Sequence, residues 1–354
     1  SGLFPAAKDL PTYWINILNK VDNVHDAPDE WASPYFDPDQ SQTRLDSARI
    51  YTRKVGLIGE FAEFNPLEFG IPPKAIEGDP AHFLALKLAR DALKDANYQE
   101  RPFNRQKTGI ILGRGSNPNR GDALGMQYGL VVDQTLNLIH QLLPSIDPTT
   151  LAEMREELRS TLPPIEIEQA PSLVSNVASG RIANRLDLMG PNYIIDAACS
   201  SSLIAVQLAI QELVNGRCDM MLAGGIQGSM PPQIYMLFCQ LNALSRSQIR
   251  PFDQAANGTL LSEGVGFLVL KRLADAQQDA DRIYAVIKGI GIASDGKGLG
   301  LFAPRLEGEI LALKNAYAQT GIDPTTLGLI EAHGTGIPLG DETEIKALSR
   351  IFGK

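Results

Sequence analysis

The chain has 354 residues, room for one large or two medium domains at about 150 residues each. Hydrophobic residues make up 44% and charged residues 21%, an ordinary globular balance that excludes disordered, collagen-like and low-complexity chains. Lys and Arg total 32 against 41 Asp and Glu, a net charge of −9, which argues against a nucleic-acid partner.

Three cysteines, Cys199, Cys218 and Cys239, form no CxxC pair and suit a reducing, cytoplasmic setting. No apolar run approaches the roughly 18 residues of a membrane span. The first residues lack the basic and apolar regions of a secretion signal, and the chain opens on Ser1 rather than Met, so it is expected to be a piece of something longer.

Asp79-Pro80 reads as N-cap and first-turn proline of a helix carrying Phe83, Leu84, Leu88, Ala92 and Leu93. Thr108–Gly113 reads as a short buried strand. Helices are expected near 130–143 and again after Pro148, the second with charged outer faces and therefore at the surface. Strands follow at 193–197, 219–225, 265–270, 283–290 and 327–332, with helices at 200–214 and 306–320 between them. Alternating strands and helices imply α/β layers. Strand 193–197 and helix 200–214 both lack a polar face, which predicts burial on both sides.

Cys199 stands out by its place. A β-branched strand runs into Asp196-Ala-Ala198, then Cys199, then Ser200-Ser-Ser202 opening a long helix. A thiol at a helix N-terminus sits in a positive partial field that favours thiolate, and free N–H groups there suit an oxyanion. The same placement also suits an inert buried thiol, the reading that wins for Cys218 and Cys239. His333, in Glu331-Ala-His-Gly-Thr-Gly336, follows a predicted strand and has glycines that permit close approach of a ligand. His25, His82 and His140 read as structural or exposed. Asp341 and Glu344 fall at i and i+3 on the next helix, but no ligand-spaced His or Cys accompanies them, so no metal site is expected. Asp341 reads as an acid stabilising a helix start, Glu344 as a group behind His333.

Two motifs fail their context. Gly291 to Gly298 resembles a P-loop, but Gly298 replaces the Ser or Thr that holds magnesium and no helix opens after it. Gly113-x-Gly115 lacks a third glycine, and no G-x-S-x-G elbow exists.

Taken together, Asp196-Ala-Ala-Cys199-Ser-Ser-Ser-Leu203, Arg250-Pro-Phe-Asp253 with Ser262-Glu-Gly-Val-Gly266, and Glu331-Ala-His333-Gly-Thr-Gly336 with Gly340-Asp341 and Glu344 resemble the motifs of a β-ketoacyl synthase. The likeness is to the ketosynthase domains of type I polyketide synthases. The insert from Tyr128 to Pro164 and the Ser294–Gly298 turn resemble the polyunsaturated-fatty-acid-synthase-like branch.

The resemblance implies an α/β, thiolase-like five-layered α-β-α-β-α fold. Residues 1–282 would form the nucleophile half, and 283–354 the start of a C-terminal half that is incomplete, the chain being truncated at both ends. It implies decarboxylative Claisen condensation, with Cys199 carrying the acyl group and His333 acting on a malonyl thioester. Ser200, Thr335 and Gly336 would bind substrate, and Glu344 would pair with a family lysine. That lysine, a second histidine and a glycine-rich end loop are not among these residues, and Ile337 stands where the family usually has Thr.

The implied partners are an acyl carrier protein bearing 4'-phosphopantetheine, malonyl and acyl thioesters, the acyltransferase domain of the same megasynthase and a second copy in a homodimer. No cofactor, metal, nucleic acid or membrane span is expected in the chain itself. The rival readings are a CoA-dependent thiolase-like acyltransferase and a non-catalytic ketosynthase-like partner subunit.

Overall fold

A computed structural model describes residues 1–40, 48–76, 78–115, 120–164 and 174–353. The chain divides into two compact units. The first comprises Ser1–Gly2, Ala62–Gly228 and Val265–Lys271, the second Leu3–Phe61, Ser229–Gly264 and Arg272–Lys354.

The described strands are β1 (Gly2–Leu3), β2 (His25–Asp26), β3 (Lys54–Val55), β4 (Thr108–Gly113), β5 (Asn192–Ile195), β6 (Met220–Gln227) and β7 (Gly264–Leu270). The main sheet has the order β1-β7-β6-β4-β5, and β2 pairs with β3. Its centre is parallel: β4 pairs with β5 in the register Ile110↔Asn192 and with β6 in the register Ile110↔Leu222. Every residue of β4 is buried. That burial explains its unbroken apolar run, since a parallel strand covered on both faces has no solvent side to alternate with.

In the first unit, helix Pro80–Asp95 starts where expected, with the Asp79 carboxylate accepting from Ala81 N at 2.9 Å. It packs against helix Val177–Leu186, and helix Ser201–Val214 lies on β4 and β6. The helix expected near 130–143 is longer than its pattern: a π-helical turn at Gln127–Val131 leads into Val132–Leu142. Helix Pro148–Ser160 is capped by Asp147 and buries no residue, as its charged faces predict.

The second unit has its own core, built on Ile50, Tyr51, Val55, Ile234 and Tyr235. Tyr51 Oη donates to Leu244 O at 3.0 Å and Tyr235 Oη to Lys54 O at 2.7 Å, so both buried rings find partners for their hydroxyls. The Glu263 carboxylate accepts from Ile58 N and Met230 N, tying three segments together, and its burial pushes its pKa up. Helices Leu306–Ala318 and Pro338–Phe352 pack on each other, with Tyr317 edge-on to Phe352 at 5.7 Å.

Three expectations are corrected. Residues 283–290 and 327–332 form no strand. A strand exists only as a paired ladder, and neither segment has one among the described residues; 283–292 instead runs beside helix Leu306–Ala318, with Asn315 Nδ2 donating to Ile292 O at 2.9 Å. Helix Ser201–Val214 buries one face rather than two. Ala205, Val206, Ala209 and Leu213 meet the sheet side, while Leu203 and Val214 remain exposed, because one sheet covers one stripe of a 3.6-residue helix.

Candidate active site

Cys199 lies in the first unit, on a single 3-10 turn, Ala198–Ser200, between β5 and helix Ser201–Val214. It is exposed, whereas Cys218 and Cys239 are buried and burial pushes their thiol pKa values up. The turn is tight and locally bonded. Ala198 N donates to Asp196 Oδ1 at 2.9 Å, Ala197 N to Ser201 Oγ at 2.8 Å, and Ser201 Oγ to Ala198 O at 2.6 Å. Ala198 adopts φ +50, a left-handed conformation that costs a non-glycine residue about 1 kcal/mol or more. Strain held this way, immediately before an exposed thiol, fixes the direction in which the thiol leaves the backbone.

Two strand-end glycines let the helix start sit directly on the sheet. A Cβ at Gly113 would overlap the backbone of Ser201 and Ser202, and one at Gly225 would come within 2.8 Å of Ser202 Cβ. Cys199 therefore stands at the carboxyl ends of parallel strands, with the first N–H groups of a helix beside it. Open α/β sheets bind ligands at this edge, and such N–H groups donate hydrogen bonds to an oxygen that develops negative charge. Ser200, singled out from the sequence, is exposed next to the thiol, while Ser201, which the motif alone did not distinguish, is buried and holds the turn.

His333, Thr335, Gly336, Asp341 and Glu344 come together in the second unit. Glu344 accepts from His333 N at 2.6 Å through one oxygen and from Gly334 N at 2.9 Å through the other. Asp341, buried at 5% exposure, accepts from Gly336 N at 3.1 Å through Oδ1 and from Phe252 N at 2.7 Å through Oδ2. Thr335 Oγ1 accepts from Ile337 N at 3.2 Å.

Both carboxylates project from helix Pro338–Phe352, whose N-cap residue Ile337 has no side-chain acceptor. The acids one and two turns into the helix serve the loop instead. That is the signal that could have found Asp341: the helix begins Ile337-Pro338 with nothing to cap it, so the nearby acid is free for the preceding loop. Nearby, burial, then Glu344, then Asp295 push Glu309 up to about 6. Among the described residues no cluster suits a metal ion.

The β-ketoacyl synthase N-terminal domain model matches residues 1–276 and the C-terminal domain model residues 284–354. The chain belongs to the β-ketoacyl synthase family. It is 34% identical to a polyunsaturated fatty acid synthase protein of Thraustochytrium across 100% of its own length and 12% of that protein's. To the polyketide synthase PksL of Bacillus subtilis it is 34% identical over 99% of its length and 7% of the relative's.

Among solved structures it resembles the ketosynthase from module 6 of the bacillaene synthase of Bacillus subtilis, at TM-score 0.78 and 33% identity, covering 99% of this chain and 53% of that one. A PfaC ketosynthase–chain length factor structure gives TM-score 0.84 and 30% identity, covering 99% and 37%. This ketosynthase-family chain therefore has the thiolase-like α/β fold class of those structures. It spans about half the length of the solved bacillaene ketosynthase.

Among the described residues no helix is long and apolar enough to cross a membrane.

Proposed function

We propose that this chain catalyses decarboxylative Claisen condensation in the elongation of a polyketide or polyunsaturated fatty acyl chain. The observation that carries the reading is the exposed Cys199 on a strained turn at the start of a helix, in a chain that also holds the His333-Gly-Thr-Gly336 loop.

In the first half-reaction the Cys199 thiolate attacks the carbonyl of an acyl thioester. The C–S bond to the carrier's pantetheine breaks, and its thiolate leaves with the electron pair. Helix N–H groups stabilise the tetrahedral oxyanion. In the second, His333 Nε2–H donates to the carbonyl oxygen of a malonyl thioester. The bond to the malonyl carboxylate breaks, carbon dioxide leaves, and the electron pair forms an enolate held by that hydrogen bond. The enolate carbon attacks the acyl-Cys199 carbonyl, a C–C bond forms, and the Cys199 thiolate is expelled. The product is a β-ketoacyl thioester.

In this reading residues 1–282 supply the nucleophile half and 283–354 the first histidine. Ser200, Thr335 and Gly336 contact the thioester arm, with Ile337 removing one hydroxyl from that contact. The partners are an acyl carrier protein with its phosphopantetheine arm, an acyltransferase domain and a second copy of the chain, in the cytoplasm. A thiol in the nucleophile position supports catalysis over the non-catalytic partner reading. The family models and the His-Gly-Thr-Gly motif support condensation over a CoA-dependent thiolase-like activity.

The test is condensation by the full-length protein with acyl and malonyl carrier-protein thioesters. Cys199→Ala is expected to lower β-ketoacyl product at least about a thousandfold. Unchanged product formation would overturn the reading.

A further inference from the structure

We infer that His82, Arg114 and Arg181 form a buried binding site for a small monovalent anion, chloride or another halide, at the carboxyl end of the main sheet. The site lies wholly within the first unit and does not depend on the roles proposed above for Cys199 and His333.

Three elements of that unit supply it. His82 lies in the first turn of helix Pro80–Asp95, Arg114 directly follows β4, and Arg181 is on helix Val177–Leu186. The first of these helices starts against the end of β6, since a Cβ at Gly228 would come within 2.7 Å of Ala81 Cβ. Arg114 N donates to Ile195 O at 3.1 Å, at the end of the strand that leads to Cys199. Ligands of open α/β sheets gather at this edge.

The buried polar atoms here are mostly donors, and several lack an acceptor. His82 is fully buried, and neither ring nitrogen has a hydrogen bond among the described residues. Its Nε2 stands 3.9 Å from Asp79 Oδ2, beyond hydrogen-bonding range. Arg114 Nη2 pairs with that same oxygen, while Asp79 Oδ1 takes Ala81 N at 2.9 Å. The other end of the Arg114 guanidinium, Nη1, is buried with no acceptor among the described residues, and so is Arg181 Nε. Arg181 lies over the Phe83 ring at 4.6 Å, and the charge that acts on it is the like charge of Arg185. Burial, then the charges of Arg114 and Arg181, hold the His82 imidazole neutral against the pull of Asp79, so both guanidiniums lie close to it.

Charge and hydrogen bonding both select the occupant. Two guanidiniums stand around one carboxylate, which leaves a cation uncompensated in a site poor in water, and such a charge is costly. An arginine N–H can only donate, and a neutral imidazole offers one donor and one acceptor. The three side chains therefore present three donors against one acceptor. Water has two protons of its own to place and carries no charge, so it satisfies neither requirement. A halide accepts from all three and supplies the missing charge. Closure around His82 favours a single atom over a phosphate or carboxylate group. The anion belongs against Arg114 Nη1, on the side of the guanidinium away from Asp79, where it braces the end of β4 beside the strand that leads to the nucleophile turn.

Bromide is the probe, because it replaces chloride and scatters anomalously. Crystals of the full-length protein soaked in sodium bromide are expected to show an anomalous peak within hydrogen-bonding reach of Arg114 Nη1, Arg181 Nε and a His82 ring nitrogen. Arg181→Leu should abolish that peak. In solution, the full-length protein is expected to melt about 3 °C or more higher in sodium chloride than in sodium gluconate of equal ionic strength, and Arg181→Leu to lose the difference. A general salt effect on the surface would survive that substitution.

The inference fails if bromide leaves no anomalous peak beside His82, whether or not a water stands there. It fails equally if the parent melts alike in the two salts, or if the gain in chloride persists in Arg181→Leu. Should Arg181→Leu not fold, the bromide peak in the parent protein decides.

Discussion

The two candidate catalytic groups are held by opposite means. Cys199 is held by backbone packing: strand-end glycines bring a helix start onto a parallel sheet, and a left-handed alanine turns the chain just before the thiol. His333 is held by charge. Its loop has no ladder, and two carboxylates from one helix take four of the loop and neighbouring N–H groups, those of His333, Gly334, Gly336 and Phe252. Backbone packing tolerates no added atom, whereas a carboxylate clamp tolerates small steric changes and fails when its charge or acceptors are removed. Each region should therefore break under the insult that spares the other.

The largest contrast is steric. Gly113→Ala drives a Cβ into the Ser201 backbone, which cannot move without lifting the helix off β4, and should cost about 3 kcal/mol or more and abolish Cys199 acylation. Gly334→Ala meets only the side chains of Phe252 and Pro251 and pays chiefly for its left-handed φ, about 1 kcal/mol. Denaturant melts of the two variants check the ranking, and a Gly334→Ala cost equal to that of Gly113→Ala would remove the distinction.

Acid sharpens the comparison further. In the first unit His82 is buried beside Asp79 and Arg114, with neither ring nitrogen hydrogen-bonded among the described residues, and burial lowers its pKa from 6.5 to about 4. Above pH 6.5 the imidazole is neutral whether the chain is folded or not. Below it the unfolded chain takes up a proton the fold refuses, so stability falls from pH 6.5 to about 4, by up to about 3 kcal/mol. His82→Gln should flatten that part of the melting-temperature profile; an unchanged slope would show that His82 does not set it.

Glu309, in the second unit, works in the other direction and more weakly. Its folded pKa of about 6 lies above the ordinary 4.5, so its contribution is full below pH 4.5 and is lost as pH rises through about 6. Because the group is half-buried, that loss is about 1 kcal/mol after solvent screening. Glu309→Gln should raise the melting temperature at pH 7 and leave it unchanged at pH 4.5. A variant that gains nothing at pH 7 would contradict this account.

The first region was the more legible from sequence, for physical reasons. An apolar strand, a run of small residues and a helix of uniform apolarity leave few ways to fold, and β4, β5, β6 and the helix after Cys199 appear close to their expected bounds. The second region was read less well. Residues 283–290 and 327–332 have the composition of strands, but pairing depends on partners that composition cannot supply, and among the described residues they have no ladder. Asp341 looked like a helix-start acid because it falls near the start of a helix, where the dipole favours negative charge. Its bond to Phe252, 89 positions earlier in the chain, is a long-range contact with no local pattern. Ala198 and Phe252 were missed for a related reason, since left-handed backbone at a non-glycine residue is imposed by surroundings and not by the residue itself.

The measurement closest to the central claim is intact-mass spectrometry with peptide mapping after incubating the full-length protein with an acyl carrier-protein thioester. The account predicts one acyl adduct, on the peptide that carries Cys199, with the buried Cys218 and Cys239 unmodified. A folded protein that takes no adduct, or takes it on Cys218 or Cys239 as readily as on Cys199, would contradict it.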